Sequence, residues 1–291
     1  MNFTYTISEN DLYTTVKDVL RNYFFVSSRL LTKLKINKCI YLNNKLCNLS
    51  DTVTIGDIVS FNLNYEEDNS NIVATNIPLN IIYEDSCFLI LNKKPNIAIH
   101  PSMLHYDNSL SNGVKFYFDK IGLKKKIRPV NRLDRNTSGL VIFAKNEYVQ
   151  EFLIKQMQNN TFSKEYLAIL EGILDEKQGT INAPIARKKD SIIERCIDKT
   201  GDTAITHYKV LKDFNNLSLV NFKLETGRTH QIRVHSSYIG HSILGDDLYG
   251  NKSNLILRQA LHSYKISFIH PKTREKLELE IDLPSDMKNI L

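Results

Sequence analysis

The sequence has no tryptophan, and only four cysteines are spread over its 291 residues. No two cysteines form a Cys-x-x-Cys pair, so a disulfide-stapled fold is not expected and the thiols are interpreted as buried side chains. Seven prolines and eleven glycines are too few for a collagen-like or wholly disordered chain. The composition is that of a globular protein, with a length typical of about two domains.

Long apolar runs are also missing. The longest, such as Cys87–Leu91 and Leu140–Ala144, fall far short of the roughly 20 residues that cross a bilayer. The N-terminus has neither the basic nor the apolar stretch of a secretion signal. We therefore expect a cytoplasmic protein with no membrane partner.

Several common catalytic motifs are absent. The chain contains no Gly-x-x-x-x-Gly-Lys-[Ser/Thr], Gly-x-Gly-x-x-Gly, Gly-x-Ser-x-Gly or His-Glu-x-x-His sequence, which argues against nucleoside triphosphate, dinucleotide, serine-hydrolase and zincin sites. His230 and His235 are five residues apart, a spacing that turns them away from each other on a helix. We expect no metal and no cofactor.

Acidic residues are in slight deficit, since 38 Lys and Arg against 32 Asp and Glu give a net charge of +6. Between residues 12 and 61, seven Lys and Arg stand against three Asp and Glu, a local net of +4. This concentration fits a polyanionic partner. The alternative is a solvated basic face without a partner.

Residues 1–65 are predicted to form a small helical and stranded unit. The apolar spacing over Asp11–Phe25 indicates a helix with Asp11 as its N-cap, and a second helix begins near Ser27. Strands are predicted over Cys39–Leu42 and Val53–Leu63. The basic residues of the second helix project away from its leucine face: Arg29, Lys33 and Lys35.

The rest of the chain has a different pattern. Residues 66–79 begin with an acidic, polar run and are interpreted as a linker. From Ile81 onward strand-like runs dominate, with helices predicted over Val149–Gln158 and over Thr229–Ile239, where Gly240 provides the stop. Because strands and helices do not alternate regularly, residues 80–291 are expected to form an α+β domain on a mixed, largely antiparallel sheet.

One polar cluster precedes a strand that is apolar at successive positions. Asp134 lies between Arg132 and Arg135, and the strand follows at Leu140–Ala144. A carboxylate on such an anchored loop is well placed to react, and the flanking arginines can stabilise its charge or contact phosphates. A structural ion pair or an Asx turn is the alternative interpretation.

A second cluster lies near the predicted helix after Gly227. Gly227 permits a tight turn and Thr229 can cap the helix, whose first turn then carries Arg233. The positive end of a helix attracts anions. A plain surface helix is the alternative.

The clusters resemble the motifs of the RluA-type family of RNA pseudouridine synthases. Residues 131–139 are similar to its central motif, residues 163–172 to its tyrosine motif and residues 226–250 to its arginine motif. The similarity extends over roughly residues 80 to 285, including closing strands near 258–262 and 268–284. Residues 28–35, with segments 42–45 and 56–59, resemble the S4 RNA-binding module.

The resemblance implies an isomerase that converts uridine to pseudouridine in structured RNA, on a pseudouridine synthase fold preceded by an S4-like domain. It assigns Asp134 as nucleophile or base, Arg233 as its ionic partner and Tyr166 as the ring beneath the uracil. Asn131 departs from the histidine that many members carry, and an amide cannot titrate, so its role should be structural. Further RNA contacts are expected from Arg132, Arg135, Thr137, Arg228, His230, Gln231, Arg29, Lys33 and Lys35.

Ribosomal RNA is the favoured substrate and transfer RNA the second, and the protein is expected to be a monomer. A noncatalytic RNA-binding or ribosome-assembly protein is the main alternative. A hydrolytic glycosidase is weaker, because that class usually needs two carboxylates and only Asp134 stands out.

Overall fold

A computed structural model describes residues 1–103 and 105–291 of the chain. The helices are α1 (Val16–Asp18), which continues as a π-helical segment (Val19–Tyr23), α2 (Ser28–Ile36), α3 (Leu110–Lys120), α4 (Glu147–Gln158), α5 (Gln231–Tyr238) and α6 (Ser285–Lys288). The strands of the N-terminal sheet are β1 (Asn2–Thr6), β2 (Ile40–Leu42), β3 (Lys45–Leu46) and β4 (Ile58–Asn62). The remaining strands are β5 (Ile81–Glu84), β6 (Phe88–Lys93), β7 (Arg128–Pro129), β8 (Ser138–Ala144), β9 (Ser163–Glu171), β10 (Gln178–Asn182), β11 (Ile185–Arg187), β12 (Arg195–Ile197), β13 (Ile205–Phe214), β14 (Leu217–Leu224), β15 (Leu261–Ile269) and β16 (Lys276–Glu280).

The N-terminal sheet has the order β1-β4-β2-β3, and its strand pairs are antiparallel. Helix α2 begins where predicted, because the hydroxyl of Ser27 accepts a hydrogen bond from the Leu30 amide. The first helix starts later than predicted. Thr15 and Asp18 form a capping box there, whereas Asp11 accepts from the Ser8 amide in a preceding turn.

The large sheet has the order β10-β13-β14-β9-β15-β8-β6-β5, and among the described residues β7 and β16 complete its ten strands. Its neighbours pair antiparallel apart from β8 and β15, which run parallel at His262 and Ser138. Strand β8 is buried along its whole length in the middle of this sheet. The predicted α+β fold on a mixed, largely antiparallel sheet is therefore confirmed. No helix among the described residues has both the length and the apolar character needed to cross a bilayer.

The connection between the two sheets differs from a solvated linker. Glu67 lies in the acidic run, yet only 5% of its side chain is exposed, and it pairs with Arg128 at 2.6 Å. One buried apolar cluster includes Phe3 and Phe61 from the first sheet together with Ile142 and Phe152 from the second part of the chain. The polar composition of residues 66–71 did not reveal these tertiary contacts.

Candidate active site

Asp134 lies on the loop between β7 and β8. The loop is closed by a hydrogen bond from the Thr137 amide to the Asp134 carbonyl at 3.1 Å. Asn131 is buried, donates to the Leu140 carbonyl and accepts from the Ile142 amide. Its side chain therefore fastens the loop to the buried strand, in line with the structural role expected for an amide here.

Three more side chains donate hydrogen bonds to this loop. Lys93, at the end of β6, is 1% exposed and donates to three backbone carbonyls, including that of Arg135 at 2.9 Å. Arg258 donates to the Asn136 carbonyl, and Gln259 donates to the Thr137 hydroxyl. The carboxylate of Asp134 is thus carried by a loop whose backbone is fixed on several sides.

Helix α5 carries Arg233, but it begins at Gln231 rather than at Thr229. His230 occupies the N-cap position in the left-handed region, with φ 58°, and no side chain caps the helix there. The Gln231 side chain instead accepts from the Arg228 amide at 2.9 Å and fixes the turn. At the other end, Gly240 has φ +84°, as the predicted stop requires.

Arg233 connects two carboxylates. Its Nη1 donates to Oδ2 of Asp134 at 3.0 Å, while Nε and Nη2 donate to the two oxygens of Asp246 at 2.7 and 2.8 Å. Asp246 is completely buried and also accepts from the amides of Leu248 and Tyr249. Burial by itself would lower the pKa of Arg233, but the hydrogen bonds and charge of Asp246, reinforced by Asp134, raise it.

Tyr166 lies on β9 next to this pair. Its side chain is buried, which raises its pKa to about 12, so the phenol keeps its proton at neutral pH. Lys164 is two residues earlier on the same face of the strand, and burial lowers its pKa. Tyr166, Lys164 and Asp134 line a cleft of about 640 Å³, a volume within the usual range for ligand sites.

His230 is the second neighbour of the carboxylate. Its Nδ1 is 2.8 Å from the hydroxyl of Tyr249, and its Nε2 is 3.8 Å from Oδ2 of Asp134. Burial lowers the pKa of His230, although the charge of Asp134 opposes this. The lowered pKa favours the neutral imidazole beside Asp134.

Arginines surround the mouth of the cleft. Arg132 is exposed and has no hydrogen-bond or ion-pair partner among the described residues, while Arg228 donates to the Thr203 carbonyl. Arg195 lines the cleft, and Arg187 lies beside it in an adjoining depression. These arginines form an open, positively charged rim around the cleft that Asp134 lines.

The other predicted RNA contacts fall in different places. Thr137 and Gln231 are buried and hold loops, and Arg135 donates to Asn96 at the surface. Arg29 and Lys35 are exposed on α2, in the N-terminal part of the chain. Lys33 differs from expectation, because it pairs with Glu67 at 3.3 Å and with Glu147 at 2.8 Å.

Sequence reasoning did not assign roles to several residues of this site. Lys164 shares a strand face with Tyr166, so the two-residue period of a strand was a usable signal. Asp246 and Arg258 lie in segments that the resemblance covers, but their roles follow only from tertiary contacts, and nothing local in the chain marks Lys93. Arg195 on β12 carried no signal beyond its charge.

Among the described residues, one group of side chains has the composition of a metal site, and it lies outside the cleft: Asp85, Cys87 and His270. Nδ1 of His270 accepts from the amides of Lys272 and Thr273, so its proton is on Nε2, which donates to Asp85 at 2.7 Å. Both ring nitrogens of His270 therefore take part in hydrogen bonds within the protein, and we interpret the group as structural.

Comparison with known proteins agrees with this geometry. Residues 87–238 match the RNA pseudouridylate synthase family. The chain is 38% identical over 267 residues to "Uncharacterized RNA pseudouridine synthase YjbO" of Bacillus subtilis (strain 168), covering 91% of this chain and 94% of the relative. It is 36% identical over 290 residues to "Ribosomal large subunit pseudouridine synthase D" of Buchnera aphidicola subsp. Schizaphis graminum (strain Sg), covering 94% and 91%.

A solved structure is similar as well. "Human RNA Pseudouridylate Synthase Domain Containing 1" superposes with a TM-score of 0.60 at 27% identity, over 72% of this chain and 85% of that chain. The residues that match the family include the loop of Asp134, which precedes β8. They also include β9, which carries Tyr166, and α5, which carries Arg233. The chain belongs to the RNA pseudouridylate synthase family and is an enzyme of that class.

Proposed function

We propose that this enzyme isomerises uridine to pseudouridine in structured RNA, with ribosomal RNA preferred over transfer RNA, and that Asp134 is its catalytic carboxylate. The observation that carries the proposal is the 3.0 Å contact between Asp134 and Arg233 in a cleft beside Tyr166. The choice of ribosomal RNA rests on relatives named for the large ribosomal subunit, such as that of Buchnera aphidicola.

The reaction breaks the bond between ribose C1′ and uracil N1 and forms a bond between C1′ and C5. C5 then loses its proton and N1 gains one, so atoms and electrons balance without a cofactor. Asp134 serves either as the nucleophile at the sugar or as the base that removes a sugar proton. In both routes the reacting oxygen is on the carboxylate that Arg233 holds, since Nη1 of Arg233 donates to Oδ2 of Asp134 at 3.0 Å.

Tyr166 is proposed as the ring against which the uracil stacks while it is detached from the sugar. Because burial raises the pKa of Tyr166 to about 12, the side chain is a neutral phenol at neutral pH, and its hydroxyl is available to donate a hydrogen bond. Stacking on the Tyr166 ring retains the detached uracil without a covalent bond.

A stacked uridine must leave its helix to reach Asp134, and extrusion costs a few kcal/mol. Arg132 is proposed to fill the vacated space or to hold the neighbouring phosphate, since it is exposed at the cleft mouth without a protein partner among the described residues. Arg228 and Arg195 extend the same rim toward the RNA backbone.

The test uses large-subunit ribosomal RNA and transfer RNA transcripts labelled with tritium at uracil C5. Release of label by the purified enzyme supports the proposal, whereas tight binding without release from any transcript contradicts it and favours the noncatalytic alternative. Free uracil among the products would point to hydrolysis.

Asp134→Asn should reduce label release below detection while RNA affinity stays within about threefold, because the amide keeps the shape and loses the charge. Asp282→Asn is the matched control, since that carboxylate is 90% exposed and pairs with Lys288 at the surface. A near-normal rate for Asp134→Asn would show that another group performs the chemistry.

A further inference from the structure

Tyr249 lies where several parts of the active site meet. Its hydroxyl accepts a hydrogen bond from the Arg195 amide of β12 at 2.8 Å, and it is also 2.8 Å from Nδ1 of His230. The Tyr249 ring is 5.1 Å from the guanidinium of Arg233. One side chain therefore connects the β11–β12 hairpin to both neighbours of Asp134.

These contacts assign the protons between Tyr249 and His230. A phenol has one O–H to donate, and the Tyr249 oxygen already accepts from the Arg195 amide. Among the described residues, Nδ1 of His230 is the acceptor that this O–H reaches, so the hydroxyl donates to Nδ1. Burial lowers the pKa of His230 and favours the neutral ring, which carries a single N–H. That N–H is therefore on Nε2.

Nε2 of His230 faces Asp134 across a short gap. The distance from Nε2 to Oδ2 is 3.8 Å, which is too long for a direct hydrogen bond. Oδ2 accepts from Nη1 of Arg233 at 3.0 Å, and Oδ1 has no hydrogen-bond partner in the part of the chain that the structure describes. A hydroxyl oxygen about 2.8 Å from both Nε2 and Oδ2 fits a gap of this length. Such a hydroxyl accepts from Nε2–H and donates to the carboxylate.

The sugar of the target nucleotide has one hydroxyl of this kind. Inside an RNA chain the 3′ and 5′ oxygens are esterified to phosphate, so the 2′-hydroxyl is the free one, and it is both a donor and an acceptor. In the proposed reaction Asp134 must reach C1′ or a proton of the sugar, and C2′ is bonded to C1′. A small cavity of about 70 Å³ is lined by Asp134, Tyr166 and His230 at this point.

We propose that His230 and Asp134 together bind the 2′-hydroxyl of the target nucleotide, and that Tyr249 is the positioning residue that fixes the His230 tautomer. Nε2–H donates to the 2′ oxygen, and the 2′ O–H donates to Oδ2, which leaves Oδ1 of Asp134 free to react with the sugar. The site thereby selects a ribonucleotide over a deoxyribonucleotide. This proposal rests on the proposed function, because that function brings the target sugar to Asp134.

The tautomer is tested on the full chain without RNA. Protein labelled with 15N at its eight histidines gives long-range 1H–15N correlations, which show the nitrogen that carries the proton, and His230→Asn identifies the signals of His230. We expect the proton on Nε2 in wild type, and a proton on Nδ1 at neutral pH would overturn the proposal.

Two tyrosine variants then test the positioning role. Tyr249→Phe should populate both tautomers of His230, because Nδ1 loses its donor. Tyr238→Phe, at a tyrosine that is 60% exposed, should leave the proton on Nε2. If His230 kept the wild-type tautomer in Tyr249→Phe, Tyr249 would not be its positioning residue.

Recognition of the hydroxyl is tested with two ribosomal RNA fragments that differ only at the uridine that wild type modifies. One fragment has the ribonucleotide there and the other has the 2′-deoxyribonucleotide, both with tritium at uracil C5. The preference of a protein is the ratio of its kcat/KM values for the two fragments, which is independent of the folded fraction. Wild type should prefer the ribonucleotide at least about 100-fold, because the deoxyribonucleotide leaves Nε2–H and the carboxylate without their partner.

His230→Phe keeps a ring and removes its N–H. Its preference should be at least about tenfold smaller than that of wild type, since the intrinsic effect of the hydroxyl on the sugar is common to both proteins and cancels. His207→Phe is the matched control, because that histidine pairs with Glu225 at the surface, and it should keep the wild-type preference. A wild-type preference in His230→Phe would contradict the contact with the hydroxyl.

His230→Asn is the second variant. Asparagine suits the left-handed backbone at this position, where φ is 58°, but its side chain is shorter than that of histidine. The same loss of preference is expected, and a wild-type preference in a folded, active His230→Asn would also reject the contact.

Failure of wild type to form pseudouridine in any ribosomal or transfer RNA transcript counts against the proposed function instead. The tautomer measurement needs no RNA, so it tests the role of Tyr249 independently of that outcome.

Discussion

At the scale of single residues, the two acidic partners of Arg233 have different positions. Asp246 is fully buried and receives two of the guanidinium's N–H groups, whereas Asp134 receives one and has 27% of its side chain exposed. The buried carboxylate therefore sets the orientation of Arg233, and the exposed one faces the cleft. Proper placement of a catalytic group within a fraction of an ångström is worth large factors in rate.

Asp246→Asn should lower kcat by about 100-fold and leave RNA affinity nearly unchanged, because Arg233 loses its charged anchor and no longer positions Asp134. Single-turnover label release and filter binding measure the two effects. Asp213→Asn, at a surface pair with Lys177, is the control. A normal kcat in Asp246→Asn would mean that Arg233 is held well enough by its other contacts.

The second residue-scale prediction concerns His262 on β15. The ring is completely buried with Nδ1 at 2.8 Å from the Ser138 hydroxyl, and burial, with the charge of Arg258, lowers its pKa to about 4. The unfolded chain binds a proton near pH 6.5, which the folded chain does not accept, so stability falls as pH drops from about 6.5 toward 4.

Between pH 7 and pH 5 this histidine should remove about 2 kcal/mol from the free energy of unfolding. Urea denaturation of wild type and His262→Asn at both pH values measures the difference. We expect the variant to be less sensitive to acid than wild type by about that amount. If wild type and His262→Asn lost the same free energy of unfolding between the two pH values, groups other than His262 would cause the acid lability.

At the scale of elements, the parallel contact between β8 and β15 places the loop of Asp134. Gly139 has φ +117°, and a Cβ at this position would lie 2.2 Å from the Ser263 carbonyl oxygen. Glycine is required here both by the backbone conformation and by the close approach of the two strands.

Gly139→Ala should therefore destabilise the protein by about 3 kcal/mol or more, since strain and a backbone clash add together. Gly122→Ala is the matched control, because Gly122 also has a positive φ, of +70°, but an added Cβ would contact nothing within 4 Å. That variant should lose only about 1–2 kcal/mol. Thermal unfolding of both variants gives the comparison, and similar losses would contradict the role of close packing.

At the scale of the whole molecule, the positive rim of the cleft is assembled from distant parts of the chain. Arg132 comes from the loop before β8, Arg195 from β12 and Arg228 from the turn before α5. If these side chains contact phosphates, binding must release counterions and weaken as salt rises.

Arg132→Met and Arg228→Met should each reduce the slope of log affinity against log salt by about 0.7–0.9, the value for one phosphate contact. Titration of the ribosomal RNA transcript at several salt concentrations measures the slope. Lys276→Met, far from the cleft on β16, should leave the slope unchanged. A slope unaffected by both arginine variants would place the RNA on another surface.

Much of the fold could be predicted from local pattern. Helix α4 ends at the predicted Gln158, and Gly240 ends α5 as expected, because helical periodicity and a left-handed stop are properties of neighbouring residues. The predicted helix starts were wrong: Asp11 and Thr229 both have side chains that can cap, but Thr15 caps α1 and no side chain caps α5. Which of several capping residues acts depends on where the helix must pack.

The sequence by itself determined the family and the class of fold and indicated the candidate site, since motif residues and apolar periods are written in local order. Only the tertiary structure decided how Asp134 meets Arg233 from 99 residues away, and that Asp246 holds the pair. It also decided that Lys33 pairs with Glu67 and Glu147 while Arg29 remains exposed. Such pairings depend on which surfaces come together when the core is buried, and no local pattern encodes that.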